Sequence, residues 1–372
     1  SWLPFGGQSV STGTYNAIAR PLGIVYLAIL AVCPLLSWGR TQGKVFLKRA
    51  KVPALFALVL FVVLMVYFVL YLVPTYNANV EYYTANAAAG DQSASEMLST
   101  LTPSWYYLGL TVVGFLVASL LFFNSLFMIG RAVRNYRESH GCSMGAAVGA
   151  MFTKRAASLG GYLSHFAMAV ILIGLIGSSM YVTEITGYLP YDEESDSVSE
   201  TFDIQDFQLT YTGNSIDELG NGNVRYALTF DVTKDGQFVG TVNPAVQLVS
   251  ATQQQKLEAS VIGFPLEDLF VVYRGVNDEG DFSMDVRVNP LISLVWIGFF
   301  LLMAGVFVST FGGRMASRKF SEPEGGAAKG GSDAKGEAAQ LEGAKGKAAD
   351  SAVAATQKKD AAKDVSESAV GA

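Results

Sequence analysis

Gly160-Gly161-Tyr162-Leu163-Ser164-His165-Phe166-Ala167-Met168-Ala169 opens an apolar run that ends near Tyr181-Val182. About 20 small and aliphatic residues suffice for one membrane-spanning helix, and here a histidine stands about one turn inside. An ionisable side chain at that depth is costly to bury and marks a functional position. Imidazole is a common ligand of metals and of haem iron.

Four further apolar runs flank this one: Pro21–Trp38, lengthened by Ala17–Ala19, then Pro53–Val73, Tyr106–Gly130 and Pro290–Phe311. The polar segments between them alternate in sign. Residues 39–51 hold Arg40, Lys44, Lys48, Arg49 and Lys51 without an acid, and residues 74–105 hold Glu81, Asp91 and Glu96 without a base. Arg131, Arg134 and Arg137 follow the third run, and the basic loop continues through Lys154 and Arg155; Arg314, Arg318 and Lys319 follow the last. Basic loops stay on the cytoplasmic side. The expectation is an α-helical membrane protein with five transmembrane helices, about 17–38, 53–73, 106–130, 162–182 and 290–311. Its N-terminus is outside, its C-terminus cytoplasmic, and residues 1–182 hold the first four helices. Trp38, Trp105, Tyr106, Tyr107 and Tyr181 fall near helix ends, where aromatic rings anchor at the lipid interface.

The 372 residues are 51% hydrophobic, with positive mean hydropathy, as expected for a membrane chain with a soluble part. Cys33 and Cys142 form no C-x-x-C pair, so neither a thiol redox motif nor a zinc site is indicated. The membrane is the expected environment, and nothing points to nucleic acid. The start at Ser1, without methionine or signal peptide, reads as a truncated N-terminus.

Between the fourth and fifth helices, residues 183–289 predict a β-rich extracytoplasmic domain, sandwich-like or barrel-like. Phe207–Tyr211, Tyr226–Val232 and Phe282–Val288 alternate as strands do, and turn clusters at Asn221-Gly222-Asn223 and Lys234-Asp235-Gly236 separate them. From Glu184 to Asn289 there are 19 acids against 5 bases. That charge suits a basic partner, although a solvated surface is the plainer reading. Residues 312–372 predict a disordered cytoplasmic tail, poor in aliphatic residues beyond Ser321.

The chain has two histidines. His140 lies in a polar, basic segment and reads as an exposed residue. His165 shares a helical face with Met168, Ala169 and Leu172, and the small Ala169 would leave room for a flat macrocycle. Gly174 and Gly177 permit close helix approach. Placement alone leaves three roles open: haem ligation, a hydrogen bond to a neighbouring helix, or proton transfer and transport.

The histidine helix, Gly160 to Ser179, resembles the transmembrane-histidine helix of the CcmF family of cytochrome c-type biogenesis proteins. Three further stretches resemble that family in the same order. They are Ser11–Asn16 with Arg20-Pro21-Leu22 and Pro34–Trp38, Glu258–Val261 with Glu267–Val271, and Asn289–Gly298. The resemblance covers residues of about 10 to 313. It implies the C-terminal module of a cytochrome c haem lyase, which joins haem vinyl groups to a C-x-x-C-H motif in apocytochrome c. It makes His165 an axial iron ligand of a membrane haem b, with Ser164 and Tyr162 as neighbouring hydrogen-bonding groups. The implied partners are the N-terminal half of the lyase with its tryptophan-rich segment, a haem chaperone, and apocytochrome c with its thiol-reducing partners. The implied location is the bacterial inner membrane. The departure is equally plain: the family's Trp-Gly-x-x-Trp-x-Trp-Asp segment and its flanking histidines are missing, and Trp2, Trp38, Trp105 and Trp296 are scattered. The expectation is that this chain is inactive without the N-terminal half. A different reading is a non-catalytic assembly subunit that docks apocytochrome or the thiol-reducing partners.

Overall fold

The computed structural model describes residues 12–36, 43–192, 194, 197–198, 200–220 and 222–319. Trp2, Trp38 and the expected tail beyond 319 lie outside the described residues. Helix α1 spans Thr12–Val32 and ends in a tight 3-10 turn, Cys33–Leu35. Helix α2, Gly43–Tyr67, continues through a π turn at Phe68–Leu72 into α3, Val73–Ala88, and α4 follows at Gln92–Leu101. Next come α5, Ser104–His140, α6, Met144–Thr153, and α7, Ala156–Met180. Helix α8, Ile292–Lys319, closes the described chain.

Five stretches are long and apolar enough to cross a membrane, and this is a multi-pass membrane protein. Several helices outrun their apolar segments. Pro74 falls at the start of α3, where its missing N–H costs little, and the wide π turn before it lets the rod continue. The acidic segment after Val73 is therefore largely helical. The basic segment after Gly130 is also helical: α5 runs ten residues further and stops where Gly141 turns left-handed at φ 60. Ser143 then caps α6, accepting from the Ala146 amide at 3.3 Å. The expected tail is corrected at its start, because α8 carries on from residue 312 to Lys319.

Helix α5 is the hub, with α1, α2 and α7 packed along it. Its Gly114 lets Ile24 of α1 and Ile176 of α7 close over the backbone. Helix α8 packs against α7 on one narrow face. Gly298 and Gly305 are its buried membrane-level residues, while Trp296, Phe299, Phe300, Met303 and Phe307 point away. The α7–α8 contact is backbone against backbone. A Cβ on Gly174 would lie 2.6 Å from the Val295 amide nitrogen, and one on Gly177 would lie 2.5 Å from the Pro290 carbonyl oxygen. On the facing helix, a Cβ on Gly298 would meet Ile171 at 2.6 Å and one on Gly305 would meet Ser164 Oγ at 2.6 Å. Gly298, Gly305 and Gly312 recur every seven residues, as do Gly160, Ala167 and Gly174, the repeat of a shallow left-handed crossing.

The helix pair passes directly into paired strands. Strand β1, Thr183–Leu189, follows α7. The short β2, Tyr191–Asp192, β3, Ser197–Val198, and β4, Phe202–Ile204, lead to the long β5, Phe207–Glu218, and β6, Val224–Lys234. Then come β7, Gln237–Val242, β8, Ala245–Val249, β9, Gln254–Glu258, β10, Ser260–Gly263, β11, Glu267–Val276, and β12, Phe282–Pro290. One sheet has the order β1-β12-β11-β10, the other β4-β5-β6-β8-β9 with β7 beside β6. Their inner faces share one core, including Phe207, Leu209, Phe230, Val232, Leu269, Met284 and Val286. The Asp235-Gly236 turn between β6 and β7 has φ of 50 and 75, a primed hairpin turn. The expected β-rich domain is present.

We expect Gly174→Leu or Gly298→Leu to separate α7 from α8, since overpacking of this kind costs about 1–3 kcal/mol or more. Unfolding midpoints in mixed detergent micelles should fall clearly for both variants. Gly149→Leu, at an exposed position where an added Cβ meets nothing within 4 Å, should leave the midpoint in place.

Candidate functional site

His165 lies in the third turn of α7 and is half-buried; its Nδ1 is buried and has no hydrogen-bond partner. The residues expected beside it have other duties. Ser164 donates to the Gly160 carbonyl at 2.9 Å and abuts Gly305 of α8, so it is committed to the helix contact. Ala169 is fully buried in the core shared with α5, so it offers no room for a flat group. The space lies one turn the other way, at Gly161, where an added Cβ meets nothing within 4 Å. His140 is engaged at the end of α5: its ring stacks on Tyr136 at 4.0 Å, and Nδ1 lies 3.0 Å from the Tyr136 carbonyl oxygen. Among the described residues no cluster of three or more His, Cys, Asp or Glu side chains forms a metal site.

The second polar centre lies where α7 leaves the bundle and was not legible as a site. The last carbonyls of a helix lack intrahelical donors, and here three other helices supply them. Arg20 of α1 donates to the Ser179 carbonyl at 3.0 Å, Tyr107 of α5 to that of Met180, and Asn79 of α3 to that of Val182 at 2.8 Å. Arg20 also lies over the Tyr107 ring at 5.6 Å, a cation at a helix C-terminus. Asn79 Oδ1 accepts from Thr183, whose hydroxyl in turn accepts from Gln205 of the β domain. Tyr181 shares a 2.8 Å hydrogen bond with Thr111. Tyr107 and Tyr181 are therefore buried network members, which corrects the expectation of interface anchors; Trp105 and Tyr106 remain exposed.

Beside this network is a cavity of about 530 Å³, with Arg20, Asn79, Tyr83, Tyr107, Glu184 and Arg287 in its wall. Arg287 pairs with Glu184 and with the buried Asp285, both at 2.8 Å, and Arg274 reaches Asp285 at 2.6 Å. Burial raises the Glu184 carboxyl above its ordinary value, with Arg287 opposing the rise.

Known proteins resemble part of the sequence and the fold. The chain is 26% identical over 165 residues to the cytochrome c-type biogenesis protein NrfE of Haemophilus influenzae, covering 44% of the chain and 25% of that protein. It is 23% identical over 143 residues to the cytochrome c-type biogenesis protein CcmF of Pseudomonas aeruginosa, covering 38% of the chain and 20% of that protein. A solved cytochrome c haem lyase CcmF shares the fold over 81% of the chain and 41% of its own, with a TM-score of 0.50 and 18% identity. Over the matched part, the chain is similar to CcmF-family proteins. No protein-family model matches the chain. The matches span about a quarter or less of the curated relatives' length and under half of the solved lyase.

The raised Glu184 carboxyl has a pH consequence. The folded protein holds this proton more tightly than the unfolded chain does, so the favourable contribution is complete below the ordinary value of 4.5. It is lost as pH rises through the higher folded value. Glu184→Gln should flatten the pH dependence of unfolding just above pH 4.5 by up to about one proton. Denaturant unfolding, followed by near-ultraviolet circular dichroism across a pH series, measures that slope.

Proposed function

We propose that this chain is the haem-ligating C-terminal module of a cytochrome c haem lyase. Its relatives are named for cytochrome c biogenesis and haem lyase. The observation that carries the reading is the buried, unpartnered Nδ1 of His165. An imidazole nitrogen held away from water without a donor or acceptor is costly; Nδ1 is closed off by this chain's own atoms, so the other ring nitrogen, Nε2, is the one that would meet iron. The residues fit a flat prosthetic group in part. Gly161 leaves space beside the ring, and the α7 face toward α8 is closed by backbone contact. His165 would hold the group from this chain; His140 is engaged elsewhere, so any second protein ligand would come from another polypeptide segment.

When bound, haem b would supply one-electron transfer at a potential set by burial and nearby hydrogen bonds. This chain's part is to hold the His165 ring at a fixed depth, through the rigid α7–α8 pair, and to exclude water from its Nδ1. The implied partners are the N-terminal lyase half with its tryptophan-rich segment, a haem chaperone, and apocytochrome c with its thiol-reducing partners. In a bacterial inner membrane the basic helix ends would be cytoplasmic and the acidic β domain outside.

Reduced-minus-oxidised spectra of membranes holding this chain with the tryptophan-rich half provide the test. His165→Ala should abolish the b-type signal, and Gly161→Leu should weaken it while the protein accumulates normally. A signal unchanged in His165→Ala would remove the ligand role.

A further inference from the structure

The β domain carries an apolar groove at its end farthest from the helices. Strand β12 runs from Phe282 there to Pro290 at α8, about 26 Å at strand rise. The floor is aromatic: Tyr191 stacks on Phe282 at 4.4 Å, and Tyr273 meets the same ring edge-on at 5.7 Å. Ile216, Tyr226 and Val276 line the rim and are exposed. The groove encloses about 210 Å³. A cavity of about 150 Å³ already takes up benzene, so there is room for one large apolar side chain.

The surroundings have one sign of charge. All five cations of the domain are held in ion pairs: Arg225 by Asp217 and Glu258, Lys234 by Glu267, Lys256 by Glu258, Arg274 by Asp285, and Arg287 by Glu184 and Asp285. Fourteen acids in excess remain, 19 less 5 from Glu184 to Asn289. Asp278 and Glu279 are exposed two and three residues past Val276, and Glu218 two past Ile216. An apolar slot in a negative field selects charge as well as shape.

We propose that this groove docks a basic polypeptide segment that inserts one large apolar side chain between Ile216, Tyr226 and Val276. The inference stands apart from the haem reading, since no residue of the histidine helix takes part.

The test uses the full chain in nanodiscs and three short peptides: lysine-rich with a central leucine, lysine-rich with a central alanine, and glutamate-rich with the leucine. The lysine-leucine peptide should bind best. Exchanging its leucine for alanine should weaken binding about tenfold or more. Ile216→Ser with Val276→Ser, both at exposed positions, should erase the leucine advantage and keep the lysine dependence. Asp278→Lys with Glu279→Lys should weaken both lysine peptides and reduce their salt sensitivity. His165→Ala should change none of this. Equal binding of the leucine and alanine peptides overturns the proposal, as does a leucine advantage that survives the double serine change. So does self-association of the chain that the serine change abolishes, which would make a second copy the occupant.

Discussion

The approach of α7 and α8 to backbone contact is the constraint on which the remaining architecture depends. Lipid offers little hydrophobic reason for two helices to associate, so contact area between small residues must do it. Gly160, Gly174 and Gly177 on one side, and Gly298, Gly305 and Gly312 on the other, leave no space that a side chain could enter. The pairing also fixes rotation. With that face of α7 against α8, Ile173, Ile176 and Met180 turn to the α5 core, and His165 falls between core and periphery, half-buried. The histidine's setting is thus a consequence of glycine placement.

The same pair sets the position of the β domain. Gly177 meets Pro290, and a few residues on Thr183 pairs with Val288, so the helix contact continues as a strand ladder without a flexible joint. Arg20, Asn79 and Tyr107 then fasten the end of α7 to three helices at once. Hydrogen bonds of this kind are modest singly, and the buried one from Tyr107 is costly to leave incomplete. The histidine helix and the sheet above it are therefore mechanically one body.

Much of this was legible in sequence because apolar length and the sign of flanking charge are local properties. The five spans and the β-rich segment could be read that way, and Gly174 and Gly177 were legible by their size, while the facing Gly298, Gly305 and Gly312 were not. The helical continuations past Val73 and Gly130 were not, since polar residues without an apolar stripe carry no periodic signal. One trace was present: Tyr76, Asn79 and Tyr83 recur at helical spacing, and all three are buried. Tyr107 and Tyr181 misled for a physical reason. An amphipathic ring near a helix end suits a lipid interface or a capped junction equally, and only the partners, Met180 and Thr111, decide between them. Ala169 misled because small size signals either space or tight packing.

The contrast between His165 and the bundle's other buried polar groups is informative. Asn79, Thr111, Ser119, Asn124 and Ser125 are each hydrogen-bonded, to helix carbonyls or to one another's neighbours. Among the described residues, the one buried side-chain nitrogen or oxygen left without a partner is Nδ1 of His165. Leaving such a group unpaired costs about 1–3 kcal/mol, and a leucine there would avoid it. A fold that satisfies its polar groups so consistently has no packing reason to keep this exception. The cost of that exception marks His165 as the position in the bundle that packing alone does not explain.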